Sequence, residues 1–155
     1  MGWVFVDMDN ELVTVAGIPI EDIVVRRGWE HFREMEARLL GRLSQKERQV
    51  IATGGGVVTV RSNVTVMRAT GKVVWLQASP EVIAERMVAD TITASQRPPL
   101  RGDDAFAEIE EILRDRLPLY KQAMHFRVDT DGLSPETVAH RILARFELNQ
   151  RAHSP

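Results

Sequence analysis

Short apolar runs alternate along the chain with stretches whose apolar residues recur at helical spacing. That alternation predicts a parallel α/β sheet. Trp3 to Val6 reads as a strand with Asp7 and Asp9 at its carboxyl end. Pro19 can start a short helix that stops near Gly28. Trp29, Phe32, Met35, Leu39, Leu40 and Leu43 keep helical spacing, which puts Arg33 and Glu36 on a helix. Gln49 to Thr53 is a second strand and runs into Gly54-Gly55-Gly56. Asn63 to Arg68 is helical and Lys72 to Gln77 is a third strand. Ser79-Pro80-Glu81 opens a helix with a hydroxyl cap, a proline in the first turn and a carboxylate near the positive helix end, and Ser134-Pro135-Glu136 repeats the device. Phe106, Ile109, Ile112, Leu113 and Leu117 mark a helix carrying Arg116, and His125 to Asp129 is a last, less apolar strand. Ala89 to Asp104 is polar and aperiodic and reads as a mobile lid. The tail from Glu147 to Pro155 is mostly polar and is expected to fray.

Composition narrows the class without naming a function. A chain of 155 residues, 44% apolar and 27% charged, is a single domain able to bury a core. Its formal charge of −2 gives no general pull toward nucleic acid or anionic membrane. With no cysteine, disulfides and thiolate metal sites are excluded. A basic segment followed by an apolar one is absent from the amino terminus, and no apolar run is long enough to span a bilayer, so a cytoplasmic location is the default. His31, His125, His140 and His153 show no metal-ligand spacing. No basic, aromatic-interleaved patch points to nucleic acid.

Parallel α/β sheets place ligands beyond the carboxyl ends of their strands. Asp7, Asp9 and Gly54 to Gly56 are therefore expected at one edge. Consecutive glycines let a ligand approach the backbone, or they form a tight turn needing positive φ. Asp7-x-Asp9 offers two carboxylates on one side of an extended segment, suited to a metal-bound water or to polyol hydroxyls; a solvated turn with a helix cap is the alternative. Arg33 has its own alternative as a solvated helix charge paired with Glu36 or Glu30. Arg116, Arg97 and Arg101 can equally be ordinary surface charges.

Order and kind decide between these readings. Asp7-Met8-Asp9, Phe32-Arg33-Glu34-Met35-Glu36, Thr53-Gly54-Gly55-Gly56, Arg97-Pro98-Pro99-Leu100 and Arg116-Leu117-Pro118-Leu119-Tyr120, in that order, resemble shikimate kinase, a small ATP-dependent kinase of aromatic amino-acid biosynthesis. The resemblance covers nearly the whole chain and implies a P-loop kinase fold over residues 1–147, a lid at about 89–104 and a polar tail at 148–155. It implies that Asp7 lies near magnesium, through water, and near the reacting hydroxyl, and that Asp9 binds substrate hydroxyls. Arg33, supported by Glu36, clamps the shikimate carboxylate with help from Arg116. Gly54, Gly55 and Gly56 line the ring, and Arg97 reaches the ATP phosphates. The implied small molecules are shikimate, ATP and Mg²⁺, and the implied state is a monomer, with no nucleic acid or membrane partner. The chemistry suits these residue types. An arginine fork binds a carboxylate bidentately, and phosphoryl transfer needs positioning, a metal and positive charge.

One family signature is missing. No G-x-x-x-x-G-K-[ST] phosphate loop occurs, and the only Gly-Lys pair, Gly71-Lys72, enters a strand. The family carries that loop on a central strand, between the strands expected at Gln49 to Thr53 and Lys72 to Gln77. The chain is therefore expected to lack its first strand, phosphate loop and first helix, on the order of 30 residues. A truncated or wrongly started kinase is one explanation. A non-catalytic shikimate-binding protein is another, and a related small-molecule kinase such as a gluconate kinase is a further alternative. Asp90 to Gln96, before the lid arginine, is also unusually rich in Thr and Ser for the family.

Overall fold

The computed structural model describes residues 2–89 and 105–151. Strand β1 (Val4–Asp7) leads into helix α1 (Met8–Ala16), then α2 (Ile20–Leu43) and strand β2 (Gln49–Ala52). A 3₁₀ turn (Val57–Thr59) and α3 (Arg61–Thr70) precede strand β3 (Val74–Gln77) and α4 (Pro80–Ala89). Helix α5 (Ala105–Ala123), strand β4 (Phe126–Asp129) and α6 (Pro135–Arg151) complete the order. The expected lid, with Arg97 and Arg101, lies outside the described residues apart from Ala89. Helix α6 carries the backbone to Arg151, past the point where the polar tail was expected to begin.

All strand pairing is parallel, but the strands form two separate two-stranded sheets, β1–β2 and β3–β4. Tyr120 on α5 spans them: its ring stacks on Trp75 of β3, with centroids 5.6 Å apart, and its hydroxyl donates to the Gly55 carbonyl after β2 at 2.8 Å. Tyr120 thus ties the end of β2 to β3.

The main core lies on the β1–β2 side. Leu12 of α1, Ile23, Phe32, Leu39 and Leu40 of α2, and Val57 after β2 are all buried there. Strand β4 buries Phe126 and Val128, and Phe126 meets Phe146 of α6 edge to face. The strands themselves are poorly covered. Phe5 is 66% exposed, Val50 52% and Leu76 55%. Parallel strands are ordinarily covered on both faces. Here Phe5 and Val50 are register partners, so their side chains share one uncovered face.

Local signals account for most helix ends. Gly28 breaks α2 with φ 82°, ψ 167°, separating a segment that starts after Pro19 from the long helix bearing Arg33. Gly17 closes α1 in the left-handed conformation. Ser79 and Ser134 cap α4 and α6 by accepting from Val82 N and Thr137 N. Arg68 of α3 donates to the carbonyls of Gln122, Ala123 and Met124, satisfying the end of α5.

Candidate active site

The two aspartates do not project from an extended segment. The chain turns helical at Met8, so Asp7 is the cap of α1: its Oδ1 accepts from Asp9 N at 2.9 Å and Asn10 N at 3.2 Å. Asp9 lies in the first helical turn, where a carboxylate is favoured by the exposed N–H groups. The helix-cap alternative thus describes Asp7 locally, while Asp9 is carried toward the glycines after β2.

Those glycines are required by close approach and not by positive φ. None of the three has φ in the left-handed region, and Gly56 has φ −86°. A methyl group on Gly56 would overlap the Arg33 guanidinium, whose Nη1 would lie 2.6 Å away. One on Gly54 would lie 3.3 Å from Glu36 Oε1 and 3.4 Å from Asp9 Oδ1. One on Gly55 would lie 3.1 Å from the Tyr120 hydroxyl and 3.8 Å from Arg116 Nη1. The turn after β2 is therefore ringed by Asp9, Arg33, Glu36, Arg116 and Tyr120, drawn from α1, α2 and α5.

Arg33 and Glu36 form the most buried charge pair described. Arg33 Nη1 donates to Glu36 Oε2 at 2.7 Å, with side chains 20% and 1% exposed. The guanidinium also lies 5.2 Å from the ring centres of Trp29 and Phe32, so aromatic faces hold it where water is scarce. Glu36 Oε1 is buried and finds no donor among the described residues. Burial raises the Glu36 pKa above 4.5; Arg33, by charge and by hydrogen bond, opposes the rise, Asp9 adds to it, and Arg116 opposes it.

The sign of that shift gives a pH prediction. A raised folded-state pKa means the folded chain holds this proton more tightly than the unfolded chain does. The Glu36 contribution is therefore fully present below the unfolded value near 4.5 and is lost as pH rises through the folded value. Relative to Glu36→Gln, the native chain is expected to melt lower at pH 7.5 than at pH 4. A relative melting temperature that instead climbs with pH would mean that Arg33 outweighs burial.

Tyr120 escaped the sequence reading as a site residue, although it closes the Arg116-Leu117-Pro118-Leu119-Tyr120 motif. A proline normally interrupts a helix, yet α5 passes through Pro118 to Ala123 and sets Tyr120 one turn after Arg116. The Tyr120 bond to Gly55 steadies the turn that faces the ligand side chains. Tyr120→Phe keeps the stack on Trp75 and removes only that bond, worth about 0.5–1.5 kcal/mol. The expected result is a melting temperature about 2–4 °C lower, in line with the stability that bond carries, together with a few-fold weaker substrate affinity. Equal affinity in the two proteins would remove Tyr120 from the site.

Among the described residues no group of three or more His, Asp or Glu side chains is arranged to hold a metal ion, and no helix is long and apolar enough to cross a membrane.

Comparisons with known proteins find similar sequences and similar folds. The family model for shikimate kinase matches residues 1–147. A shikimate kinase of Thermodesulfovibrio yellowstonii is 38% identical over 147 residues, covering 95% of this chain and 82% of that protein. One from Moorella thermoacetica is 39% identical over 142 residues, covering 92% and 79%. The structure of a shikimate kinase from Acinetobacter baumannii, solved in complex with shikimate, superposes with a TM-score of 0.88 at 29% identity, over 96% of this chain and 80% of that one. The Aquifex aeolicus shikimate kinase superposes with a TM-score of 0.77 at 32% identity, over 96% and 83%.

Proposed function

The chain belongs to the shikimate kinase family of ATP-dependent phosphotransferases, and on that premise we propose how its residues hold the acceptor substrate. The family reaction moves the γ-phosphate of ATP to the 3-hydroxyl of shikimate. In this chain Arg33 and Arg116 grip the shikimate carboxylate, and the buried Glu36 fixes the Arg33 fork. Asp9 accepts from ring hydroxyls. Gly54 to Gly56 form a wall with no side chains, against which the ring lies. The convergence of Asp9, Arg33, Glu36 and Arg116 on three glycine Cα atoms carries this reading.

Asp7 is assigned to the reacting end. Its Oδ1 is committed to the α1 cap, so the second oxygen serves the reacting hydroxyl and a water on magnesium. Mg²⁺ takes one or two carboxylates together with waters and phosphate oxygens, so a lone aspartate fits. When bound, the ion supplies charge against the phosphate oxygens. The nucleotide does not fit in the same way. A triphosphate needs successive backbone N–H groups and a lysine, and the chain contains no G-x-x-x-x-G-K-[ST]. These residues are therefore assigned acceptor binding, and no phosphate-transfer step is routed through them.

We propose further that the split between β2 and β3 is the seat of another parallel strand, leading into the phosphate loop and supplied by polypeptide outside these 155 residues. Three observations support it. β2 and β3 belong to separate sheets. Phe5, Val50 and Leu76 expose apolar faces that a following helix would cover. At the carboxyl end of β3, Gln77 Oε1 is buried with no donor among the described residues.

Calorimetric titration of shikimate into the chain tests the acceptor assignment. One saturable site per chain is expected. A folded chain that takes up no shikimate would overturn it.

A further inference from the structure

A second concave surface lies between α1 and α2. It encloses about 820 Å³, within the range of small-molecule sites. Its floor is apolar: Leu12 and Ile23 are buried there, and Val15 stands 61% exposed at its edge. Its rim is basic, with Arg27, His31, Arg38 and Arg42 among the lining residues and no acidic side chain among them. Arg38 is partly offset from outside by Glu34 at 2.8 Å, and Arg27 leans on His31, with Nη1 3.4 Å from Nε2.

This groove is separate from the shikimate site. His31, Met35, Arg38 and Arg42 follow one stripe of α2. At 3.6 residues per turn, Arg33 and Glu36 fall about half a turn away, on the side that meets the glycines. The clamp helix thus has a ligand-binding face in front and an apolar, cation-rimmed groove behind.

We propose that this groove binds a free amphiphilic anion: an acyl or similar apolar body bearing one carboxylate. The floor would take the apolar body out of water, and the rim guanidiniums would pair with the head group. Charge complementarity selects an anion over a neutral lipid. Concavity selects a single molecule over a membrane surface, which meets a protruding apolar patch more readily than an inset one.

The test uses dodecanoate as the probe, below its micelle concentration, in calorimetric titrations of the 155-residue chain. One equivalent per chain is expected, with at least tenfold weaker binding for dodecanol and for Arg27→Gln/Arg42→Gln. Both arginines are exposed, so the double variant should keep the native circular dichroism spectrum. Saturating shikimate should not displace the probe. Bound dodecanoate should also protect Arg42 of the unaltered chain from phenylglyoxal, read by mass spectrometry. Phe5→Ser/Leu76→Ser, which trims the exposed strand faces, should leave the affinity unchanged. Several equivalents per chain, affinity insensitive to the arginine changes, or loss of binding in the strand-face variant would overturn the proposal. So would attachment to phosphatidylglycerol vesicles without uptake of monomeric dodecanoate.

Discussion

Replacing Arg33 with alanine is expected to weaken shikimate binding by roughly 2–5 kcal/mol, the cost of breaking a desolvated charge contact. Arg116→Ala should fall in the same range, since its guanidinium approaches the same glycine turn. The two differ in their side effects. Arg33 is the direct partner of Glu36, which is 1% exposed, so its removal strands a buried carboxylate and should lower the melting temperature as well. Arg116 is half-buried and outside that ion pair, so its loss should act mainly on affinity. Gly56→Ala gives an independent route to the same end, because the added methyl would displace the Arg33 guanidinium without removing it. Calorimetric titration of shikimate into each variant, with thermal melts alongside, decides the matter. Native affinity in both arginine variants would sink the carboxylate assignment.

A polypeptide limited to these 155 residues is expected to show negligible ATP-dependent phosphorylation of shikimate. On the assignment proposed above these residues bind the acceptor, and the sequence contains no G-x-x-x-x-G-K-[ST] loop for the triphosphate. Supplying an upstream strand, glycine-rich G-K-[ST] loop and helix should bring turnover to about 1–100 s⁻¹, the usual kinase range. The same addition should raise stability, because unpaired strand edges and exposed apolar faces favour association over a closed sheet. Phe5, Val50 and Leu76 are the side chains whose burial should follow. A coupled assay, thermal melts and size-exclusion profiles of the short and extended chains measure all of this. Kinase-rate turnover by the short chain, or a monodisperse chain with a high cooperative melt, would show that the split sheet functions as it stands.

The order and type of elements were legible because their signals are local. Apolar periodicity marked the helix bearing Arg33, glycine marked its break at Gly28, and Ser-Pro-Glu marked the starts of α4 and α6. Helix α1 was missed because Met8 to Ala16 follows a strand without a proline or serine start signal, and its cap, Asp7, had been read as the end of that strand. The end of α5 beyond Leu117, the last apolar residue marking that helix in the sequence, was not legible there, because Pro118 removes a backbone donor. Trp75 of β3, stacked on Tyr120, holds that segment from outside the helix, and Ala123 at its end is buried.

The sequence by itself determined which residue types were available: three arginines, three carboxylates and a glycine triplet in a fixed order. It also determined that no Gly-Lys phosphate loop lies among them. Tertiary structure decided what the types could not. It made Gly56 a position of close approach, because Arg33 comes from a helix packed over the turn. It buried Glu36 against the Arg33 guanidinium in place of a solvated pair, and burial raises the Glu36 pKa despite the pull of Arg33. It brought Tyr120 to Gly55 across 65 residues of chain. It also left β2 and β3 unjoined, a property of pairing between distant strands that no local pattern in either one contains.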